Sequence, residues 1–215
     1  MHIGSREAAR GEAAAEEVRA QLAALAAGER GRFALVSGHT NAEAAASGEV
    51  AFITVPYEGQ RALLPELAET LAGRVVVSTV VPMSVSKERG PVAIDVPEGS
   101  AAEQAAGLLP HSRVAAGFHT LSSAVLSKAD LPVNSHVVVT SDDREAKAVA
   151  MALAELLPGV RAVDGGALRY SHQSEGLTVL LLSINRIYKS HAGVLITDLP
   201  SPAPAASSRP AMSRK

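Results

Sequence analysis

The chain has 215 residues, a formal net charge of −2, no cysteine or tryptophan, and 3% aromatic residues. That length can bury one sizeable core. The balance excludes a basic nucleic-acid footprint, a base-stacking platform, a disulfide framework and thiolate chemistry. No run approaches ~20 uninterrupted apolar residues and no charged-then-apolar leader opens the chain, so the reading is a soluble, cytoplasmic protein with no membrane partner.

Met1-His2-Ile3-Gly4-Ser5-Arg6 reads as the end of a strand and the turn into a helix. Residues 6–27 are Ala-rich; Val18, Leu22 and Leu25 share a helical face and Gly28 is a stop signal. Phe33 to Val36 reads as a short strand, and Asn41 to Ala46 as a short helix with Asn41 near its N-cap. Val50 to Val55 is a continuous apolar strand of the doubly buried, parallel type, closed by Pro56. A helix from about Gln60 to Leu71 follows, then a strand over Val75–Val81 closed by Pro82. Residues 84–99 read as a loop. Ser100 and Glu103 form a capping box for a helix to Leu109. Strands are expected over Val114–Phe118, His136–Thr140 and Val160–Asp164, with a helix from Asp142 and Asp143 to near Leu157. From Gly165 to about Lys189 the pattern is mostly helical; Leu177 to Leu182 is apolar all round and reads as buried. Residues 200–215 lack periodicity and read as a disordered tail. Alternation of strand and helix predicts an α/β, Rossmann-type, doubly wound parallel sheet.

In such sheets ligands bind beyond the carboxyl ends of the strands. That rule selects Ser5 and Arg6, Thr54 to Glu58 (with Val55 and Pro56), Val81-Pro82-Met83, and His119 to Ser123. A Ser-Arg pair at a strand end before a helix can hold the 2′-phosphate of NADP, where NAD-binding chains have an acidic residue. Ser5 fits an N-cap equally well, and Arg6 a solvated first-turn residue. Arg10 adds a second cation on the same helix face. Pro56 is also a plain strand terminator, and His119 reads as a hydrogen-bonded structural residue or as a base. Asp142-Asp143 fits a helix-dipole role better than a paired-carboxylate site, and Asp164-Gly165-Gly166 fits a turn or an anion cradle. No metal-ligand, hydrolase-elbow or P-loop motif is present. Nor is G-x-G-x-x-G, so the chain reads as an N-terminally truncated dinucleotide-binding domain that begins at its second strand.

Seven stretches, in order, match one family: Ile3-Gly4-Ser5-Arg6-Glu7, Thr54-Val55-Pro56-Tyr57-Glu58, Val80-Val81-Pro82, Ala116-Gly117-Phe118-His119-Thr120-Leu121, Asp142-Asp143 with Ala146-Lys147, Arg161 to Gly166, and Leu177-Thr178 through Leu181-Leu182 to Asn185-Arg186. On these the chain resembles the NADPH-dependent reductases of the deazaflavin coenzyme F420. The resemblance implies hydride exchange between carbon 4 of nicotinamide and carbon 5 of the deazaflavin, two rings stacked in one cleft. It implies that Ser5, Arg6 and Arg10 hold the 2′-phosphate, that Thr54, Val55 and Pro56 line the NADP path, and that His119, Thr120 and Leu121 lie against the deazaflavin. It further implies that the Ser123 amide meets the nicotinamide carboxamide, that the segment around Val194 and Leu195 closes over the deazaflavin, and that the enzyme is a homodimer. Such chemistry needs positioning and no side-chain nucleophile; holding the reacting carbons about 3–3.5 Å apart supplies roughly 7–11 kcal/mol.

The alternatives by residue pattern are another NADP-dependent reductase of an imine or keto substrate, which would normally have a Lys, Asp or His general acid, and a truncated non-catalytic binding module. Domain bounds are expected at 1–135 for the NADP-binding part, 136–199 for a C-terminal α/β extension at the deazaflavin site, and 200–215 for the tail. The family pattern implies roughly 25–30 residues ahead of Met1, with a misassigned start as the favoured explanation, and without that strand a gap of ~10 Å between the Ile3 and Val50 strands.

Overall fold

The structure, a computed structural model, describes residues 1–25, 35–128 and 132–200. Nine strands and seven helices alternate through them. β1 (His2–Ser5) leads into α1 (Ala8–Leu25); β2 (Ser37–Thr40), α2 (Asn41–Ser47) and β3 (Val50–Ile53) follow. α3 (Tyr57–Leu67) crosses to β4 (Val75–Ser78), then β5 (Met83–Ser86), β6 (Gly90–Ala93) and α4 (Ala101–Leu108). β7 (Arg113–Ala116), α5 (Ser123–Leu126), β8 (Ser135–Ser141), α6 (Arg144–Glu155), β9 (Val160–Asp164) and α7 (Ser171–Tyr188) complete the order.

The central sheet has the order β3-β4-β7-β8-β9. Its pairs are parallel except β7–β8, which is antiparallel. The expectation of a uniformly parallel sheet is corrected there: only short helix α5 lies between β7 and β8, and the chain enters β8 from the carboxyl side. β8 therefore projects beyond the end of β7, which shapes the crevice described below.

Alternation along β4 separates two cores. Val76 joins Leu64, Leu67, Leu71, Ala102 and Ala105 on the face covered by α3 and α4. Val75 and Val77 join Ala146, Ala150 and Ala154 on the face covered by α6. Alanines at every fourth residue let α6 lie close on the strands. The helix starts are chemically capped. Thr40 and Glu43 form a reciprocal capping box on α2; the Ser100 and Asp143 side-chain oxygens accept the backbone N–H groups of Glu103 and Ala146.

β1 and β2 form a separate two-stranded parallel sheet. A cavity of about 510 Å³ lies between β1 and β3, lined by Ile3 and Gly4 on one side and Ala51 and Phe52 on the other. Arg74 holds the two parts together. Its guanidinium donates to the Ala45, Ala46 and Gly48 carbonyls at the end of α2, a cation placed on a helix C-terminus.

Other boundaries differ from the sequence reading. Residues 84–99 contain the β5–β6 antiparallel hairpin, not a loop throughout. The strand expected over Phe33–Val36 lies at Ser37–Thr40, and Phe33, Ala34 and the Gly28 stop fall outside the described residues, as do 201–215. β3, β4 and β7 end together at Ile53, Ser78 and Ala116, which pair in register, so the apolar residues beyond them belong to the carboxyl-edge loops. The Leu177–Leu182 run is not buried all round: Leu181 is, but Leu180 is 55% exposed. The remaining four residues, Leu177, Thr178, Val179 and Leu182, are half-buried.

Candidate functional site

Ser5 ends β1, half-buried, opposite Thr40 of β2; Arg6 follows, exposed, two residues before α1. Backbone contact fixes α1 there. A Cβ on Gly38 would lie 2.0 Å from the Glu12 nitrogen, and one on Gly11 would lie 2.5 Å from the His39 oxygen, so only glycine permits this approach. The Glu12 carboxylate accepts from the Gly38 amide at 2.8 Å and from Arg19 at 2.6 Å, and these bonds hold its pKa below the ordinary value. Arg19 also donates to the Val36 carbonyl.

Ser5, Arg6, Val55 and Pro56 come together around a cavity of about 670 Å³, within the range of small-molecule sites. Asn41 at the start of α2 shares it, and Glu58 and Glu66 line it from α3. The cavity is thus electrically divided, with cation and hydroxyl on the β1 side and carboxylates opposite. Thr54 is exposed and lines the neighbouring cavity. Arg10 stands in the first turns of α1, exposed and outside the lining; neither arginine has an ion-pair partner among the described residues. Val81 and Pro82 form the root of the β5–β6 hairpin, where the Pro82 carbonyl accepts from Ile94 at 2.9 Å.

The second half of the crevice lies two strands away, beyond β7. Phe118 adopts φ 68° and sets its ring edge-on to Phe52 of β3, centroids 5.4 Å apart. The left-handed backbone turns the chain so that His119 and Thr120, both 7% exposed, face inward. Ser174 donates its hydroxyl proton to the Ser171 carbonyl at 3.0 Å, and its oxygen lies 3.5 Å from His119 Nδ1. Nε2 is buried and has no partner among the described residues. Burial pushes the His119 pKa down to about 4, so the ring is neutral at pH 7.

Leu121 is half-buried, and Ser123 is the exposed first residue of α5. Ser122 Oγ and His191 Nδ1 are 3.4 Å apart, linking this loop to the C-terminal segment. That segment lies along the projecting start of β8: His136 N–H donates to the Val194 carbonyl at 2.6 Å, and Ile196 N–H donates to His136 Nδ1 at 3.0 Å. Leu195, between these anchors, is 55% exposed. His119–Ser123 and Leu195 therefore share the carboxyl side of the sheet with Arg6 and Pro56.

Sequence reasoning missed Ser174 and Glu175. Glu175 is 1% exposed and accepts from the Ala101 and Ala102 amides at the start of α4, at 3.0 and 3.1 Å. Burial raises its pKa to about 6 against the lowering effect of those two bonds. Their positions, 55 and 74 residues from their partners, left no local signal. Ser78, buried at the carboxyl end of β4 with a hydroxyl that has no partner among the described residues, had one: a polar residue closing a valine run. Asp142 and Asp143 are structural. Asp143 caps α6, and Asp142 accepts from the Leu168 amide at 3.0 Å. Asp164 is likewise a turn residue, accepting from the Gly166 amide at 2.8 Å and pairing with Lys147. Among the described residues no helix is long and apolar enough to cross a membrane.

The family described as NADP oxidoreductase, coenzyme F420-dependent, matches residues 1–82. The F420-dependent NADP reductase of Methanocaldococcus jannaschii is 37% identical over 199 residues, spanning 92% of this chain and 87% of that protein. The enzyme of the same name from Methanothermobacter marburgensis is 40% identical over 204 residues, with the same coverage. A solved structure from Arthrobacter sp. FB24, of a candidate F420-dependent NADP-reductase, superposes with a TM-score of 0.71 at 20% identity, covering 88% of this chain and 84% of that one. A hypothetical protein of Sinorhizobium meliloti does so at 0.58 and 22% identity, covering 76% and 73%. The two solved structures establish the α/β, Rossmann-like fold, and the identity to the named reductases, sustained over nearly the whole chain, establishes that the chain belongs to the family of F420-dependent NADP reductases.

Proposed function

We propose that the chain transfers a hydride between NADP(H) and coenzyme F420 in the crevice along the carboxyl edge of its strands. The observation that carries the reading is the cavity at the strand ends that brings Ser5, Arg6, Val55 and Pro56 together. His119 is buried and held neutral, so it supplies no proton at pH 7, and hydride transfer by positioning needs none. The fit to NADP rests on the divided cavity, with Ser5 and Arg6 on its cationic side.

When bound, the two carriers supply the redox chemistry, a hydride passing between nicotinamide C4 and deazaflavin C5. The protein binds, orients and excludes water. In this reading Ser5 and Arg6 hold the 2′-phosphate, with Arg10 as a second cation. Thr54, Val55 and Pro56 line the NADP path, and Val81 and Pro82 set the floor where the hairpin begins. His119, Thr120 and Leu121 lie against the deazaflavin, partly through backbone groups, the Ser123 amide meets the nicotinamide carboxamide, and Leu195 covers the deazaflavin. Residues 136–199 act as an extension completing the deazaflavin side, a role supported by the bonds from His136 to Val194 and Ile196. The protein works in the cytoplasm as a homodimer, with the exposed apolar face of α7 as its contact.

The test is loss of deazaflavin absorbance when NADPH is added to protein and F420. Bleaching that requires NADPH supports the reading. No bleaching, with NADPH binding intact, rejects it.

A further inference from the structure

Resting on the function proposed above, we infer that the tip of the β5–β6 hairpin and the end of α7 form a cationic cradle for the anionic tail of the deazaflavin coenzyme. That tail is the phosphodiester and glutamates that continue its ribityl chain.

One close contact builds the cradle. Gly90, buried at the start of β6, has φ 72°, and a Cβ there would lie 3.1 Å from the Arg186 guanidinium. Arg186 therefore lies against the hairpin backbone at a position that favours glycine. The turn before it is closed by the Arg89 N–H, which donates to Ser86 Oγ at 3.0 Å. Lys87 and Arg89 stand on this turn, and Lys189 caps α7 in a left-handed backbone, φ 49°. Lys87, Arg89, Arg186 and Lys189 are exposed, and none is in an ion pair among the described residues. Glu88, between Lys87 and Arg89, is the counter-charge on the turn. The dipole of α7 accounts for Arg186 and Lys189. It does not account for two further cations placed beside them by another element.

The cradle continues the crevice. The hairpin rises from Val81 and Pro82 at the carboxyl edge of β4. On α7, Ser174 and Asn185 are three turns and about 16 Å apart and share one face. Ser174 lies beside His119. Asn185 Oδ1 accepts from the Ala192 N–H at 2.6 Å and from the Ser190 hydroxyl at 3.3 Å, and His191 between them meets Ser122 at 3.4 Å. The end of α7 is thus tied to the loop proposed to lie against the deazaflavin, and Arg186 follows Asn185 on the hairpin side. A chain leaving a ring held at that loop meets these cations before it reaches bulk water. Guanidinium groups pair with both phosphate and carboxylate. Exposed pairs are weak singly and are screened by salt, so the discrimination comes from several acting together.

The test is binding, read as quenching of deazaflavin fluorescence when the full chain is titrated into coenzyme F420 or into its riboside, which lacks phosphate and glutamates. At low ionic strength the parent should bind F420 about tenfold tighter than the riboside, and the difference should narrow as salt is raised. Arg89→Ala combined with Arg186→Ala should bring F420 to the affinity of the riboside, whereas Arg89→Lys combined with Arg186→Lys should keep most of the difference. Equal affinity of the parent for the two compounds overturns the cradle without recourse to any variant. So does a preference for F420 that persists in the double alanine variant. Binding of neither compound rejects the proposed function itself, and the cradle with it.

Discussion

His119 and Glu175 are both buried, and their pKa values are displaced in directions that make the fold respond to acid in opposite senses. The His119 pKa falls from 6.5 to about 4, so the unfolded chain takes up a proton that the folded chain refuses. Its contribution is complete above pH 6.5 and is lost as pH falls toward 4, a swing of roughly 3 kcal/mol. The Glu175 pKa rises from 4.5 to about 6, so the folded chain keeps a proton that the unfolded chain releases. Its contribution is complete below pH 4.5 and is lost as pH rises through 6, roughly 2 kcal/mol. Glu175→Gln removes the second effect and keeps an acceptor for the α4 amides. Urea midpoints at pH 4.5, 6 and 7.5 should show the parent losing stability relative to E175Q between the first two values; parallel profiles would show that Glu175 is not held protonated. Arg6 gives a prediction about specificity. An arginine–phosphate contact is worth about 1.5–3 kcal/mol, so Arg6→Ala should weaken NADPH binding roughly 10- to 100-fold and leave NADH nearly unchanged. Equal weakening of both coenzymes, measured by titration, would remove Arg6 from the 2′-phosphate. The place of Ser5 and Arg6 between a strand end and a helix start was legible in the sequence because both are marked within a few residues. The neighbour of His119 was not, because Ser174 reaches it from 55 residues away.

At the scale of elements, the sequence was most readable where one chemical cause dominates. The valines of β4 announce a strand buried on both faces, and Ser100 and Asp143 announce helix starts through their capping oxygens. Elements that depend on a partner were harder to read. The β5–β6 hairpin has four-residue strands with mostly exposed side chains, and it forms where β6 packs on α7, a contact with no local trace. The apolar composition of the Leu177–Leu182 run predicts burial, but burial is set by what a helix packs against. The packing of α1 on β2 yields a prediction of its own. Gly38→Ala would drive a methyl group into the Glu12 backbone, which cannot yield as a flexible side chain would. The helix must move, at a cost of about 1–3 kcal/mol or more, and it takes Arg10 and the Arg6 turn with it. G38A should therefore lower the melting temperature and weaken NADPH binding together. A melting temperature unchanged within one degree would show that the contact is looser than this.

At the scale of the whole molecule, the crevice assembles from pieces that no window of sequence contains. β1, the loop after β3, the loop after β7 and the segment after α7 lie on one side of the molecule because their strands end there and because β8 turns back to project there. The alternation of elements made the carboxyl edge legible in advance; the reversal at β8 and the separation of β1–β2 from the central sheet lay in tertiary pairing. α7 has a buried beginning and an exposed apolar face. Its first turns bind the core through Ser171, Ser174 and Glu175, all buried, whereas Leu180, Ile187 and Tyr188, spaced to share one helical face, are 55%, 70% and 74% exposed. In the homodimer proposed above these side chains face a second copy of the same helix, a two-fold pairing that buries each set against the other. Leu180→Arg would place two cations at the centre of that contact without touching the buried side of α7. The parent should sediment as a dimer with a concentration-dependent melting temperature, and L180R as a folded monomer with an unchanged circular dichroism spectrum. If parent and variant sediment alike at every concentration, the exposed face of α7 does not join two subunits.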